Sequence, residues 1–171
     1  MVKHSEIMNF REEEIGKLIE YFSKQTDGFE NPKIVTIGGY ALRAFTNFSR
    51  YTRDCDFVLK KQNGWSLDKI KKLLPEGLSI EAFEKRGNYG FLRSIKFLKI
   101  NGRRAKISID FMEGEVRGRT DKKVFFITDK FLQKSKKAKI PIADKDAEIF
   151  VPDYTDYLIL KIISARPSDI R

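Results

Sequence analysis

Two neighbouring stretches of the sequence decide the fold, IVTIGGYALR at residues 34–43 and RYTRDCDFVL at residues 50–59. The first stretch begins with a short β-rich run, breaks at Gly38 and Gly39, and continues with a helical pattern. The second stretch predicts a strand over residues 55–59. Two glycines between a strand and a helix let the backbone approach a ligand closely, and the helix start behind them offers N–H groups to a phosphate.

The second stretch also carries a pair of acids, Asp54 and Asp56, two residues apart. Side chains of a strand alternate between its faces, so both carboxylates project to the same side. They repel each other unless a cation lies between them. Because the ligand atoms are oxygens only, Mg²⁺ or Mn²⁺ is the expected ion. Cys55 faces the other side of the strand, where we expect it to pack in the core.

A hairpin further along the chain supplies a third acid. Residues 91–100 and 105–111 are strand-like and flank Asn101-Gly102, a pair that readily adopts the two positive φ angles of a type I′ turn. In the second arm apolar and polar residues alternate, so one face is apolar and the other carries Asp110. A third carboxylate on a neighbouring strand would complete a two-metal site, and Asp110 fits that need.

Other periodicities alternate between helix and strand along the chain. Apolar residues at helical spacing predict a first helix over residues 10–24 and a last helix over residues 154–165. The last helix is apolar almost all round, so we expect it to be buried or to pack against a further segment. The remaining predictions are a helix with Ala41, Leu42, Phe45 and Phe48 on its inner face, a short helix that begins at Ser66 and stops before Pro75, strands at 33–37, 78–83, 124–127 and 148–151, and a polar loop at 112–123.

The composition narrows the chemistry. The 171 residues include one His and one Cys, which excludes a zinc finger and a His-rich metal site, and also a Ser-His-Asp triad unless His4 supplies it. Catalysis would therefore depend on carboxylates, hydroxyls, Lys or Arg. The formal net charge of +10 favours polyanionic partners such as nucleic acid or nucleotides, although a solvated charged surface explains it equally well. No signal peptide or apolar run of membrane-spanning length is present, so we expect a cytoplasmic protein without a membrane partner.

At these residues the sequence resembles the nucleotidyltransferase superfamily typified by DNA polymerase β. It looks most similar to a small prokaryotic branch that includes the AbiEii-like toxins of type IV abortive-infection systems. The resemblance is carried by Gly38-Gly39 with Ala41 and Arg43, by Arg50-x-Thr52-x-Asp54-x-Asp56, by Asp110, and by a tail that runs from Lys161 through Arg166 to Asp169.

The resemblance implies an α+β nucleotidyltransferase fold with a mixed β-sheet flanked by helices. Residues 1–152 would form the catalytic domain and residues 153–171 the start of a C-terminal helical region, which the sequence leaves open as truncated or complete. The implied reaction moves a nucleoside monophosphate from an NTP to an acceptor, either an RNA end or a protein. Asp54, Asp56 and Asp110 would hold two Mg²⁺ or Mn²⁺ ions, with Asp110 as the general base.

The resemblance also implies which residues contact the nucleotide. They are Gly38, Gly39 and Tyr40 through their backbone, and Arg43, Thr52, Arg53 and Lys161 through their side chains. Arg43 and Arg53 are candidate phosphate contacts, with surface charge as the alternative reading of each. Thr52 would orient the metal ligands, unless it is simply a β-branched strand residue. Lys161 would reach a phosphate or one of the acids, or else extend to the surface.

Two other classes of function remain open. One is a non-catalytic nucleotide- or RNA-binding domain that keeps the fold and the basic surface. The other is an interaction module whose last helix docks a partner, for instance a cognate antitoxin. Metal-dependent NTP binding with transfer of a label would separate the enzyme from both.

Overall fold

The computed structural model describes residues 4–26, 29, 34–47, 51–62, 66–119 and 122–165. The helices in these residues are α1 (His4–Gln25), α2 (Gly38–Leu42), α3 (Ser66–Lys72), α4 (Asp129–Lys134) and α5 (Tyr154–Ser164). The strands are β1 (Val35–Ile37), β2 (Asp54–Leu59), β3 (Ser79–Arg86), β4 (Tyr89–Ile100), β5 (Arg103–Glu113), β6 (Glu115–Arg117), β7 (Val124–Phe126), β8 (Lys136–Ile142) and β9 (Lys145–Val151).

A five-stranded mixed sheet organises the fold, in the order β1-β2-β5-β4-β3. Strands β2 and β5 run parallel, and the other neighbouring pairs are antiparallel. With helices packed on its faces, this sheet confirms the predicted α+β class. The β4–β5 hairpin turns at Asn101 and Gly102, whose φ angles of 46° and 78° are those that the Asn-Gly pair predicts.

The two faces of the sheet carry different cores. Phe57 of β2 projects to one face and joins a buried cluster that includes the apolar side of α1. Val58 projects to the opposite face and packs in a second cluster with residues of α4 and α5. Because Asp54 and Asp56 alternate in phase with Val58, the predicted acids lie on this second face, at the end of its core.

The first helix begins six residues earlier than predicted. It starts at His4 rather than at residue 10, so Asn9 lies inside the helix and is exposed. The acid of the first turn is Glu6, whose charge suits the positive end of a helix. The three acids at 12–14 that placed the predicted start therefore lie in the body of α1.

Strands also occur where the sequence predicted none. The predicted loop at 112–123 contains β6, and the Lys-rich segment after α4 forms β8, paired with β9. In β8 only Ile140 and Ile142 are buried, so the alternation of apolar and polar residues is too short to stand out among the lysines. Helix α2 ends at Leu42, and Phe48, predicted on its inner face, lies outside the described residues.

The last helix is buried on one side only, so of the two predicted alternatives complete burial does not hold, and packing of the helix against a further segment stays a prediction. Tyr157, Leu160 and Ile163 are buried, at helical spacing. Ile162 is 69% exposed and Leu158 is exposed on the same helix. Within the described part of the chain, no helix combines the length and the apolar composition that crossing a membrane requires.

Candidate functional site

Two of the predicted acids are direct neighbours in the sheet. The parallel register of β2 and β5 sets Asp56 beside Asp110 and Asp54 beside Ser108. Paired positions of adjacent strands lie about 4.8 Å apart and share a face. The structure therefore brings the three predicted carboxylates to one face of two strands. Cys55, between the acids, is fully buried in the opposite core, and burial raises the pKa of its thiol, which confirms its packing role.

The electrostatics of this cluster are unfavourable for the protein alone. Burial, followed by the negative charges of Asp110 and Asp54, raises the pKa of Asp56 from its ordinary 3.8 to about 7. Arg93 and Arg119 oppose this shift, although their effect is smaller. A cation placed among the three carboxylates would relieve the repulsion.

Two of the acids are already held by neutral or positive partners. The hydroxyl of Ser108 donates to Oδ1 of Asp54 over 2.7 Å. Arg93 on β4 donates to both carboxylate oxygens of Asp110, from Nε over 2.8 Å and from Nη2 over 2.5 Å. In this arrangement no three His, Cys, Asp or Glu side chains of the described residues converge as a metal-binding group. A cation bound by Asp110 would compete with Arg93 for the carboxylate oxygens.

Arg93 was absent from the sequence prediction, although its position was predictable. The hairpin register pairs Ile100 with Arg103 next to the turn, and it continues without a shift to the pair of Arg93 and Asp110. Counting back residue by residue from Asn101-Gly102 would have placed a guanidinium opposite the third acid.

The glycine turn lies directly against Asp56. Gly38 has a φ of 70°, and a Cβ atom added there would come 2.4 Å from Oδ2 of Asp56. A Cβ atom on Gly39 would come 3.2 Å from Cγ2 of Thr52. Ile37 provides no side-chain cap to the first N–H groups of α2. The hydroxyl of Tyr157 donates to the carbonyl of Gly38 over 3.4 Å, a contact from α5 that sequence reasoning missed.

Replacing Gly38 by Ala is expected to lower the free energy of unfolding by about 2–4 kcal/mol, because the new Cβ adds strain at positive φ and displaces Asp56. Urea unfolding measures this loss. Gly87→Ala is the matched control, since Gly87 has a φ of 62° and nothing lies within 4 Å of its added Cβ. The control isolates the backbone strain, so equal losses in the two variants would show that contact with Asp56 is unimportant.

Thr52 and Tyr40 support the acids through the backbone. The hydroxyl of Thr52 donates to the carbonyl of Asp54 over 3.2 Å and accepts from its N–H over 3.4 Å. The side chain of Tyr40 is fully buried, and its hydroxyl donates to the carbonyl of Thr52 over 3.5 Å. The side chain of Tyr40 is therefore not accessible to a ligand, and the predicted contact through its backbone stays a prediction. Thr52 fixes the start of β2.

The structure places the side chain of Arg43 in a buried ion pair, whereas the sequence predicted a phosphate contact. Its guanidinium is buried and forms an ion pair with both carboxylate oxygens of Glu12, and it also donates to the carbonyl of Pro141 over 2.7 Å. The side chains of Arg43 and Glu12 are only 2% and 5% exposed. A phosphate contact would require the guanidinium to leave this buried pair, so the arrangement indicates a structural role.

The other two predicted cations, Arg53 and Lys161, are exposed. Arg53 precedes Asp54, and its positive charge contributes to lowering the pKa of Arg11, for which burial is the larger cause. Lys161 is exposed one helical turn beyond Tyr157 on α5. Arg11 joins this surface from α1, a placement that no local sequence pattern indicated.

A comparison with known families agrees with this geometry. Residues 24–168 match the family model described as nucleotidyl transferase AbiEii toxin, type IV TA system. The matched range includes the glycine turn, the three aspartates and α5. No curated protein and no solved structure gives a match to the chain.

Proposed function

The chain belongs to the AbiEii family of nucleotidyltransferase toxins of type IV toxin–antitoxin systems, and from this premise we propose that it moves a nucleoside monophosphate from an NTP to an acceptor in a reaction dependent on divalent cations. The observation that carries the proposal is the register that sets Asp56 beside Asp110, with the glycine turn packed against Asp56. A phosphate bound at that turn would lie next to the carboxylate of Asp56.

The residues present fit a pair of Mg²⁺ or Mn²⁺ ions. Asp54, Asp56 and Asp110 provide oxygen donors only, which suits these hard cations. Burial and the charges of Asp110 and Asp54 raise the pKa of Asp56, and a cation bound there would offset both effects. Bound there, the ions would neutralise the phosphates and lower the pKa of the attacking oxygen.

In the proposed reaction, an oxygen of the acceptor attacks the α-phosphorus and the bond to pyrophosphate breaks. Asp110, once turned from Arg93, accepts the proton of the acceptor hydroxyl. The backbone of Gly38 and Gly39 allows the triphosphate to approach closely. Arg93, released from Asp110, can then bind the negatively charged phosphates. Its guanidinium thus pairs first with Asp110 and afterwards with the nucleotide.

Arg93→Gln is expected to tighten Mn²⁺ binding about tenfold, because Asp110 no longer has to leave an ion pair. The same change is expected to lower the melting temperature of the cation-free protein by a few degrees, since repulsion among the acids is then less compensated. Calorimetric titration with Mn²⁺ and thermal unfolding measure the two effects. Arg86→Gln, at an exposed position on β3, is the control for loss of one positive charge. Weaker Mn²⁺ binding by the Arg93 variant would contradict the competition between Arg93 and the cation.

Incubation with each labelled NTP, total RNA, total protein and Mg²⁺ or Mn²⁺ tests the proposed function. We expect a label on one macromolecule, which identifies the acceptor as an RNA end or a protein. Absence of label, together with absence of both cation and NTP affinity in calorimetry, would reject the proposal. The family description also implies a cognate antitoxin, and we propose that a gene for it lies beside the gene for this chain.

A further inference from the structure

The β4–β5 hairpin extends beyond the acids and presents a basic, aromatic surface on their face of the sheet. Directly opposed residues of antiparallel strands share a face. The register pairs Arg93 with Asp110 and then, toward the turn, Phe97 with Lys106 and Lys99 with Arg104. We call Phe97, Lys99, Arg104 and Lys106 the hairpin strip. It follows the pair of Arg93 and Asp110 along the same two strands.

The side chains of the hairpin strip are accessible. Phe97 is 44% exposed, and Lys99 and Arg104 are exposed. The guanidinium carbon of Arg104 lies 3.6 Å from the centroid of the Phe97 ring. An exposed phenylalanine with a guanidinium on its face offers two flat groups on which a base can stack.

The hairpin strip also keeps a positive charge after its internal pairing. Lys106 forms an ion pair with Glu81 of β3. The charges of Lys99 and Arg104 add to this neutral pair. Cations interleaved with an aromatic ring favour a nucleic acid strand over an acidic peptide, because the peptide would use the charges but not the ring.

The length of the strip suits a short strand. Arg104 precedes Asp110 by six residues of β5, which corresponds to about 20 Å along an extended strand. At about 3.4 Å for each stacked nucleotide, this distance holds roughly six nucleotides.

We propose that the hairpin strip binds the single-stranded end of a nucleic acid acceptor and directs its terminus toward Asp110. Binding of a nucleic acid strand is inferred from the exposed side chains alone. Use of the strip as an acceptor site rests on the nucleotidyltransferase function proposed above. Backbone phosphates would contact Lys99 and Lys106, and bases would stack on Phe97 and Arg104. The strip displays no group that separates RNA from DNA, so the shared chemistry of the single strand is the proposed ligand.

Fluorescence anisotropy with labelled twelve-nucleotide RNA and DNA of the same sequence, without NTP or divalent cation, tests the surface. The combined change Phe97→Ala and Arg104→Ala is expected to weaken binding at least about tenfold, because both groups on which bases stack are lost. Phe83→Ala with Lys71→Ala is the matched control, because Lys71 lies 4.5 Å from the Phe83 ring and Phe83 opposes Leu92 on the other face of the same sheet. We expect less than a twofold change in the control.

Several outcomes would overturn the proposal. They are absence of binding by the unchanged protein, equal affinity in the Phe97/Arg104 variant, and equal weakening in the control on the opposite face. Thermal unfolding of each variant verifies the fold, and Lys99→Ala, at an exposed position, provides a second and milder change that should also weaken binding. Tighter binding of RNA than of DNA would identify RNA as the acceptor class, and the reverse would identify DNA.

Failure of the binding proposal and failure of the proposed transfer reaction give different results. If oligonucleotides bind through the strip but no label is transferred, the surface stands and the proposed activity fails. If a protein is labelled and no oligonucleotide binds, the transfer stands and the hairpin strip is rejected as an acceptor site.

Discussion

Asp56→Asn is expected to abolish nucleotidyl transfer and, at the same time, to stabilise the cation-free protein. The carboxylate lies beside Asp110 and against the glycine turn, where the proposed cations and the triphosphate meet. Loss of one ligand charge removes several kcal/mol of transition-state stabilisation, so transfer should fall by at least about 10³-fold. The label-transfer assay measures this loss.

The stabilising half of the prediction follows from the pKa of Asp56. Burial and the neighbouring acids raise the pKa to about 7, against 3.8 for an unperturbed Asp. Because the folded protein holds this proton more tightly than the unfolded chain, stability is lost as pH rises from about 4 to about 7. Asn carries no charge and avoids that loss. With allowance for the partial exposure of Asp56, the variant should be more stable by about 2 kcal/mol at pH 8, or about 5 °C in melting temperature.

A matched control separates these effects from a general loss of negative charge. Asp146→Asn removes the same charge at an exposed position of β9 and should change neither transfer nor melting temperature. A lower melting temperature for the Asp56 variant at pH 8 would contradict the repulsion among the acids. Unchanged transfer would reject Asp56 as a ligand of the proposed cations. Absence of transfer by the unchanged protein would instead favour a non-catalytic domain, for which Asp54→Asn with Asp56→Asn leaves nucleic acid binding equal or stronger.

The position of the acids was predictable because it depends on local geometry. Alternation along β2 sets Asp54 and Asp56 on one face and Cys55 on the other, whatever packs around the strand. The Asn101-Gly102 turn fixes the register of the hairpin that carries Asp110. What the sequence could not provide was the order of strands, and the parallel pairing of β2 with β5 completes the cluster.

Contacts between distant segments were not predictable from local patterns. Glu12 and Arg43 are 31 residues apart, and Tyr157 reaches the carbonyl of Gly38 across 119 residues. An arginine beside a Gly-Gly turn has the same sequence pattern whether it meets a phosphate or a buried carboxylate. Burial decides between the two, and burial depends on how α1 packs.

Arg43→Ala is expected to lower the free energy of unfolding by about 3–5 kcal/mol, because it leaves the carboxylate of Glu12 buried without a counter-charge. Urea unfolding measures the loss. Lys24→Ala, which breaks the exposed pair with Glu20, is the control and should cost less than about 1 kcal/mol. A loss below about 1 kcal/mol for Arg43→Ala would contradict a structural role.

The unfolding measurement does not test whether Arg43 also contacts the nucleotide. A double variant tests that second role. Glu12→Gln with Arg43→Met removes both charges, and Gln retains an acceptor for the N–H of Ala143, which Oε2 of Glu12 accepts over 3.1 Å. Replacing a buried ion pair by neutral groups of similar volume commonly restores stability, so most of the loss should be recovered. If Arg43 only holds α1 and α2 together, NTP affinity in calorimetry then equals that of the unchanged protein. If the guanidinium contacts a phosphate, NTP affinity stays about tenfold weaker although the fold is restored, because no other group of the double variant replaces the lost charge.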